Sequence, residues 1–186
     1  LQYRNAAAIG LDSLKALGVD IPDNPDAAYI AKELERTRQL LKTKQIEELI
    51  GAPEMSDPHQ RAIARILGSL VGVAVHMGTG LMPALSLKLT QLSVQFGISP
   101  NSALGYATYG GFVLIGTLGE VSEGGRYGHV AACLAERPFS LEGKAMALHC
   151  NNLQIRHWNE PLRDILPDYR RVFDIGLETG DLEYAS

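Results

Sequence analysis

The sequence predicts an all-α fold of about eight helices, packed in pairs as an irregular superhelix. Three observations favour this class. Apolar residues recur at helical spacing along most of the chain, glycine or proline interrupts each of these segments, and one turn motif occurs twice. Because the strict alternation typical of a half-buried strand is weak throughout, we expect no sheet.

Length and composition indicate one helical-repeat region covering residues 1–186. The chain is 46% hydrophobic and 20% charged, and its formal net charge of -4 excludes the basic field that binds nucleic acid or an anionic membrane. Two cysteines, Cys133 and Cys150, are too few for a disulfide framework, which favours a reducing, cytoplasmic location. Since residues 1–10 resemble the interior of an element, we expect a fragment of a larger multidomain protein.

Two helices are predicted before residue 51. The first covers 3–17 and ends at Gly18, and the second is a long charged helix over 27–50. The apolar face of this second helix contains Ile30, Leu34 and Leu41. Its opposite, solvated face is predicted to contain Lys32, Glu33, Glu35, Arg36 and Arg38.

The next two helices have clear sequence signals at their ends. Asp57 is a candidate N-cap, Pro58 suits the first helical position, and Gln60 lies where a capping-box partner belongs, so a helix is predicted from there to about residue 77. Another begins near Pro83 and ends at Gly97. Its apolar stripe contains Leu85, Leu89, Leu92 and Phe96.

Residues 66–87 contain no charged side chain if His76 is neutral, and their length is sufficient to span a bilayer. Because this run is interrupted by polar residues, by Pro83 and by the sequence MGTG, we interpret it as two buried helices that meet at a glycine-rich turn.

Four helices are predicted in the second half of the chain. One follows a candidate cap at Ser99 and continues to about residue 118, and the others cover 121–136, 141–159 and 161–179. The first of these contains Gly105, Gly110 and Gly111, although glycine destabilises a helix interior by about 1 kcal/mol relative to alanine.

The turn motif explains these glycines. The sequence FVLIGTLGEVSEG at 112–124 aligns with FDIGLETGDLEYA at 173–185, and the shared pattern is typical of the turn between the two helices of a tetratricopeptide-like pair. It matches Gly119 with Gly180 and Gly124 with Ala185. We therefore expect close helix contacts at Gly105, Gly110, Gly111, Gly124 and Gly128. The alternative is that some of these glycines mark a frayed or kinked helix. The spacing of the two copies differs from any multiple of the usual repeat, so the array is expected to be irregular.

No catalytic, cofactor-binding or metal-ligating residue is predicted. Cys133, His149 and Cys150 lack the short-spaced ligand pairs of zinc sites, and no phosphate-binding loop with lysine follows a strand. His76 is interpreted as a buried, hydrogen-bonded histidine and Trp158 as an anchor in a groove between helices. The remaining polar candidates are explained by helix polar faces and ends, and they are His59, His129, His157, Glu178, Asp181 and Glu183.

Five ordered segments carry a family resemblance: ELIGAPEMSDPHQRAIARIL, LSVQFGISPNSALGYATYG, RYGHVAACLAE, IRHWNEPLRD and GLETGDLEYAS. Together they resemble the helical region of bacterial, cyanobacterial-type multi-sensor signal-transduction kinases. In that family, a serine/threonine-kinase-like domain and a STAND-type ATPase module precede this region, and a GAF sensor and a histidine kinase follow it. The resemblance implies that ATP binding and catalysis belong to the other domains.

We therefore expect a non-catalytic scaffold for protein interaction and regulation. Its partners would be neighbouring domains of the same polypeptide and a protein or peptide. A homodimer could also form through the open ends of the array. The alternative is a small-molecule sensor with a buried apolar pocket lined by 66–87 and His76, and an enzyme without a recognisable motif is a further one. We expect aromatic residues on the concave surface, with Tyr106, Tyr109 and Tyr127 as candidates. For any one of these tyrosines, packing in the core is the preferred interpretation.

Overall fold

The computed structural model describes residues 2–138, 141 and 143–184, and within them the fold is all-α, as predicted. Eight α-helices are present in the described chain. Their bounds are Gln2–Ala16 (α1), Ala27–Leu41 (α2), Pro58–Val75 (α3), Leu81–Phe96 (α4), Ser102–Thr108 (α5), Val121–Ala135 (α6), Lys144–Gln154 (α7) and Leu162–Thr179 (α8). Helix α5 continues as a π-helix over Tyr109–Ile115, and two short 3-10 helices cover Ile46–Gly51 and Arg156–Trp158. The described residues form no strand, only a single parallel bridge between Glu54 and Ile98.

The helices pack mainly against those one or two places away along the chain. Neighbours such as α3 and α4, α5 and α6, or α7 and α8 pack as pairs, while α1 lies beside α3, α2 beside α4 and α5 beside α7. Such near-neighbour contacts are the pattern of stacked helix pairs. The segment Ile46–Gly51 packs against α6, far along the chain.

The predicted helix over 27–50 is wrong in its second half. Helix α2 ends at Leu41, and a separate 3-10 helix begins at Ile46. In that position Leu49 is 3% exposed and the guanidinium of Arg137 donates a hydrogen bond to the Ile50 carbonyl. The break thus allows the segment to pack against α6, a contact between residues far apart in sequence.

The assignment of Glu33 to the solvated face is also wrong. Glu33 is 5% exposed, and its carboxylate lies 2.7 Å from Lys88 Nζ of α4. The Gln91 amide donates to the same carboxylate at 2.9 Å and to Thr37 Oγ1 at 3.0 Å. Helix α2 therefore packs a polar cluster, as well as apolar residues, against α4.

Helix starts followed the sequence signals in part. The Asp57 carboxylate caps α3 by accepting from the His59 N–H at 2.9 Å, and Pro58 is the first helical residue, as predicted. Gln60 does not complete a capping box, since its amide contacts the His59 ring at 3.4 Å. Ser99 is not the cap of α5, which begins at Ser102; instead, the Ser99 N–H donates to Ser102 Oγ at 2.9 Å.

The glycines predicted at close helix contacts occupy such positions. A Cβ atom on Gly124 would lie 2.5 Å from Ile115 Cγ1 and 2.8 Å from the Gly110 carbonyl oxygen. The same holds for Gly105 against Leu89 of α4, at 2.9 Å. Gly111 and Gly128 would likewise meet side chains of the α7 region, at 2.6 and 2.5 Å. Close approach of the backbones therefore offsets the poor helix propensity of these residues.

The tyrosines expected on a concave surface lie in the core instead. Tyr106, Tyr109 and Tyr127 are each at most 1% exposed. Tyr127 packs edge-on against Tyr109, with ring centroids 4.9 Å apart, and stacks with Tyr106 at 6.1 Å. The small glycines beside them leave the volume that these rings fill.

Residues 66–87 fall within α3 and α4, which meet at a turn containing Gly78 with φ of 59°, as predicted. Over the described ranges of the chain, none of the helices combines the length and the apolar character needed to cross a bilayer.

Candidate functional site

An open groove of about 930 Å³ runs between α6 and α7. Helix α6 forms one wall, and α7 lines the opposite side together with Ile155, Arg156, Asn159 and Glu160. The 3-10 segment contributes Ile46 and Glu47, and Asp168 and Arg171 of α8 lie at the edge. The apolar part of the lining comes from Val121, Val130, Leu148 and Ile155.

Two adjacent asparagines on α7 are the polar residues most enclosed by the groove. Asn151 is 4% exposed and Asn152 is 3% exposed. Among the described residues, the Oδ1 atom of Asn151 and the Nδ2 atom of Asn152 have no hydrogen-bond partner, whereas Asn152 Oδ1 accepts from Arg156 Nη1 at 3.1 Å. A buried polar atom without a partner costs about 1–3 kcal/mol. Both atoms lie just beneath the groove surface with almost no solvent contact, so a side-chain rotation would be needed to present them to a bound group.

Glycines on α6 shape the wall opposite these amides. A Cβ on Gly128 would lie 2.5 Å from Asn151 Oδ1, and one on Gly125 would lie 3.2 Å from Asn159 Nδ2. The absence of side chains at these two positions lets α6 approach Asn151 closely and keeps the groove open near Asn159.

Ion pairs surround the groove. Arg126 binds Glu47 at 2.8 Å, and Arg171 binds Glu136 at 2.7 Å. Burial tends to raise the pKa of Glu136, but hydrogen bonds from Arg171 and Lys144 outweigh it and hold that pKa below its ordinary value. These pairs make the rim strongly polar and nearly balanced in charge.

A further group of charges at the groove is centred on Arg156, which bridges two carboxylates. Arg156 binds Glu160 at 2.6 Å and also binds Asp168 of α8. The hydrogen bond from Arg156 lowers the pKa of Glu160. By joining α8 to the segment that follows α7, this cluster fixes the far edge of the groove.

A thiol and an imidazole lie together on the α6 wall. Cys133 Sγ is 3.7 Å from His129 Nε2, one helical turn away, and both residues line the groove. Cys133 is partly exposed, whereas Cys150 is 3% exposed and burial raises its pKa to about 12. Because the thiolate is the reactive form of cysteine, burial protects Cys150 both by blocking access and by raising its pKa, whereas the Cys133 thiol is accessible.

We expect an aromatic disulfide reagent to modify Cys133 rapidly and Cys150 only when the chain unfolds. At neutral pH, burial keeps the Cys150 thiol protonated. Its modification rate in the native chain should therefore be at least about tenfold lower than that of Cys133, since one pKa unit changes the fraction of thiolate tenfold. The measurement is the absorbance of released thiolate. The Cys133→Ser variant should lose the fast phase, and equal native-state rates for both thiols would contradict the assignment.

The other histidines considered in the sequence lie outside the groove. His76 is not buried, since 38% of its side chain is exposed, but it is hydrogen-bonded to Glu183 at 3.0 Å and stacks on Tyr3. The ring of His149 packs against Tyr169 and Tyr184, and burial lowers its pKa. Within the described residues, no three His, Cys, Asp or Glu side chains are placed to hold a metal ion.

Trp158 does not anchor a groove between helices. It is 58% exposed and contacts the His157 ring, with ring centroids 5.0 Å apart. Near the C-terminus, burial and the charge of Glu183 raise the pKa of Asp181. The repeat match between Gly124 and Ala185 cannot be followed, since Ala185 lies outside the described residues.

Sequence reasoning missed Asn151 and Asn152. Their only signal was the pair of adjacent asparagines in a segment predicted to be helical, where asparagine is a poor helix former. Neither a protein-family model, nor a curated protein, nor a solved structure matches the chain. The candidate site therefore rests on its own geometry.

Proposed function

We propose that this chain is a non-catalytic protein-interaction scaffold that binds an extended peptide segment of a partner in the groove between α6 and α7. The observation that carries the proposal is the pair of unpartnered amide atoms, Asn151 Oδ1 and Asn152 Nδ2. A peptide backbone offers an N–H donor and a C=O acceptor at every non-proline residue. One acceptor and one donor in the groove match those groups without requiring a particular sequence.

The rest of the groove fits the same kind of ligand. Apolar side chains from Val130, Leu148 and Ile155 offer contacts for one face of an extended chain. The paired charges at the rim, such as Arg126 with Glu47, would exchange partners with charged peptide side chains and thereby select among sequences. Stacked helix pairs present extended surfaces suited to such segments.

The setting of this scaffold is part of the same proposal. The five segments that resemble multi-sensor signal-transduction kinases favour a position between an ATPase module and a sensor domain of a larger cytoplasmic protein. The two free thiols, Cys133 and Cys150, agree with a reducing compartment. In that setting, a peptide in the groove would couple a partner, or a neighbouring domain, to the restraint or release of the ATPase.

The proposal is tested by selecting peptides from a random display library on the full chain and measuring their affinity by fluorescence polarisation. The Asn152→Ala variant should bind a selected peptide about two- to tenfold more weakly, since a lost hydrogen bond costs about 0.5–1.5 kcal/mol. The matched control is Asn5→Ala on the exposed surface of α1, which should bind as the parent chain does. Bound peptide should also slow the modification of Cys133, because that thiol lines the groove.

Failure would take one of two forms. Either no peptide is enriched, or the enriched peptides bind Asn152→Ala and the parent chain equally and leave Cys133 accessible. Either result would remove the groove as a peptide site.

The second candidate function is that of a small-molecule sensor. The groove volume of about 930 Å³ supports it. Binding pockets for small molecules measure about 300–1,000 Å³. This groove contains none of residues 66–87, where the sensor pocket was expected from the sequence. A metabolite screen by thermal shift, repeated with Asn152→Ala, would distinguish a small ligand of the groove from a peptide.

A further inference from the structure

Helix α8 carries two apolar faces, and only one of them packs inside the chain. Ile165, Val172 and Ile175 are buried. The described residues leave a second face open to solvent, which we name the α8 stripe. Its members are Leu162, Leu166, Phe173 and Leu177, which are 67%, 64%, 40% and 53% exposed.

The members of the α8 stripe lie along one side of the helix, on both sides of Pro167. Its residues follow each other at spacings of four, seven and four, which places them on the same side of an α-helix. At 1.5 Å per residue, the stripe is about 22 Å long. A row of large, exposed side chains on one helix face is typical of an interaction surface, whereas single exposed apolar residues are common.

The spacing of the α8 stripe is symmetric about its centre. The midpoint lies between Tyr169 and Arg170, with Leu166 and Phe173 equally far on either side. Leu162 and Leu177 are likewise equidistant from it. A second α8 stripe laid antiparallel would therefore place Leu162 opposite the second copy's Leu177 and Leu166 opposite the second copy's Phe173. This is the self-complementarity that a two-fold interface requires.

The charges beside the stripe lie about nearly the same centre, since the midpoint between Arg163 and Asp174 falls one residue before that of the stripe. Arg163 and Asp174 each follow a stripe residue by one position and so lie on the same flank. In an antiparallel pair, equivalent flanks face each other, which brings Arg163 of one copy to Asp174 of the other, twice. Within the described part of the chain, Arg163 has an ion pair only with Asp164, in an exposed contact at 3.3 Å, and such contacts contribute little.

We propose that two copies of this chain form a homodimer by antiparallel packing of their α8 stripes around a two-fold axis near residues 169 and 170. The surface is distinct from the groove between α6 and α7, so the dimer does not depend on the peptide-binding proposal. Packing of two helices at this stripe would cover four large apolar side chains from each copy.

The first test is the solution mass by analytical ultracentrifugation over a wide concentration range. The parent chain should approach twice its mass of 20.2 kDa, and Leu166→Glu should raise the dissociation constant at least tenfold. Because Leu166 is 64% exposed, this substitution removes no core packing. The matched control, Ile9→Glu, changes a residue of α1 that is 69% exposed and should leave the dissociation constant unchanged.

The second test fixes the orientation by oxidative cross-linking in a Cys133→Ser background. Arg170→Cys lies near the proposed axis and should cross-link to itself. Leu162→Cys and Leu177→Cys should cross-link when mixed but not singly. A charge exchange tests the contact between Arg163 and Asp174. Arg163→Asp alone should weaken the dimer, and combining it with Asp174→Arg should restore the dimer.

Three results would overturn the proposal. A monomer at every concentration would leave the stripe to some other partner, such as a helix of a longer polypeptide. A dimer unaffected by Leu166→Glu would place the interface elsewhere. Self-cross-linking at residues 162 and 177, without cross-linking between them, would show a parallel arrangement.

Discussion

Replacing Lys88 by methionine is expected to lower the free energy of unfolding by about 3–5 kcal/mol, because it leaves the buried Glu33 carboxylate without its cation. Glu33 is 5% exposed and lies 2.7 Å from Lys88 Nζ, in the contact between α2 and α4. The remaining hydrogen bond from Gln91 does not compensate a charge. Chemical denaturation at neutral pH measures the change.

The control for position and composition is Lys32→Met on the exposed side of α2, which should change the free energy of unfolding by less than about 0.5 kcal/mol. The double variant Glu33→Leu with Lys88→Met should recover most of the loss, since replacing a buried ion pair by apolar residues is often neutral. A small effect of Lys88→Met alone would mean that Glu33 does not need its partner.

This pair also makes stability depend on pH in a defined direction. Burial tends to raise the pKa of Glu33, but hydrogen bonds from Lys88 and Gln91 outweigh it, so the pKa lies below the ordinary value of 4.5. A depressed carboxyl pKa stabilises the fold above the unfolded-state pKa, and this contribution is lost as the pH falls through the folded-state value. In Lys88→Met, burial dominates and protonation relieves it. The difference in stability between the two chains should therefore begin to shrink above pH 4.5, where Glu33 of the variant takes up a proton, and shrink further below pH 4.5, where the parent chain loses its contribution.

Gly124→Ala is expected to lower the free energy of unfolding by about 1–2 kcal/mol. The new Cβ would lie 2.5 Å from Ile115 Cγ1 and 2.8 Å from the carbonyl oxygen of Gly110, a backbone atom that cannot move independently. Overpacking of this kind costs about 1–3 kcal/mol, and the better helix propensity of alanine offsets up to about 1 kcal/mol. Thermal and chemical denaturation measure the net effect.

The same substitution in α3 should have the opposite sign. The nearest atom to a Cβ on Gly72 is Met146 Cε at 3.8 Å, which is an ordinary contact. Gly72→Ala is therefore expected to raise the free energy of unfolding by about 0.5–1 kcal/mol through helix propensity alone. If both alanine variants were stabilised, close approach of α6 to the preceding helix would not be the reason for Gly124.

Local signals predicted most of the secondary structure. Asp57 and Pro58 start α3 because a cap and a fixed φ act within one turn, and Gly97 ends α4 with a positive φ that glycine adopts readily. Glycines inside helices predicted close contacts at Gly124 and Gly128, since close backbone approach offsets the cost of glycine in a helix. Each of these inferences depends on residues near each other in sequence.

The candidate site was not predictable in this way. Asn151 and Asn152 line a groove because α6 lies opposite α7, and that placement depends on glycines and side chains from several helices. Trp158, in contrast, was expected to fill a groove and is exposed. Whether a polar or aromatic side chain is covered depends on which other element packs over it, and spacing along one helix does not contain that information.

By itself, the sequence determined the all-α class, the number of helices and the approximate ends of most of them, because propensity, capping and apolar periodicity act over a few residues. Only the tertiary structure decided that α2 ends at Leu41, that Glu33 is buried with Lys88, and that α8 presents a second apolar face. Each of these features depends on contacts between elements far apart in sequence, or on the lack of such contacts among the described residues. Long-range packing, which a local pattern does not encode, sets them.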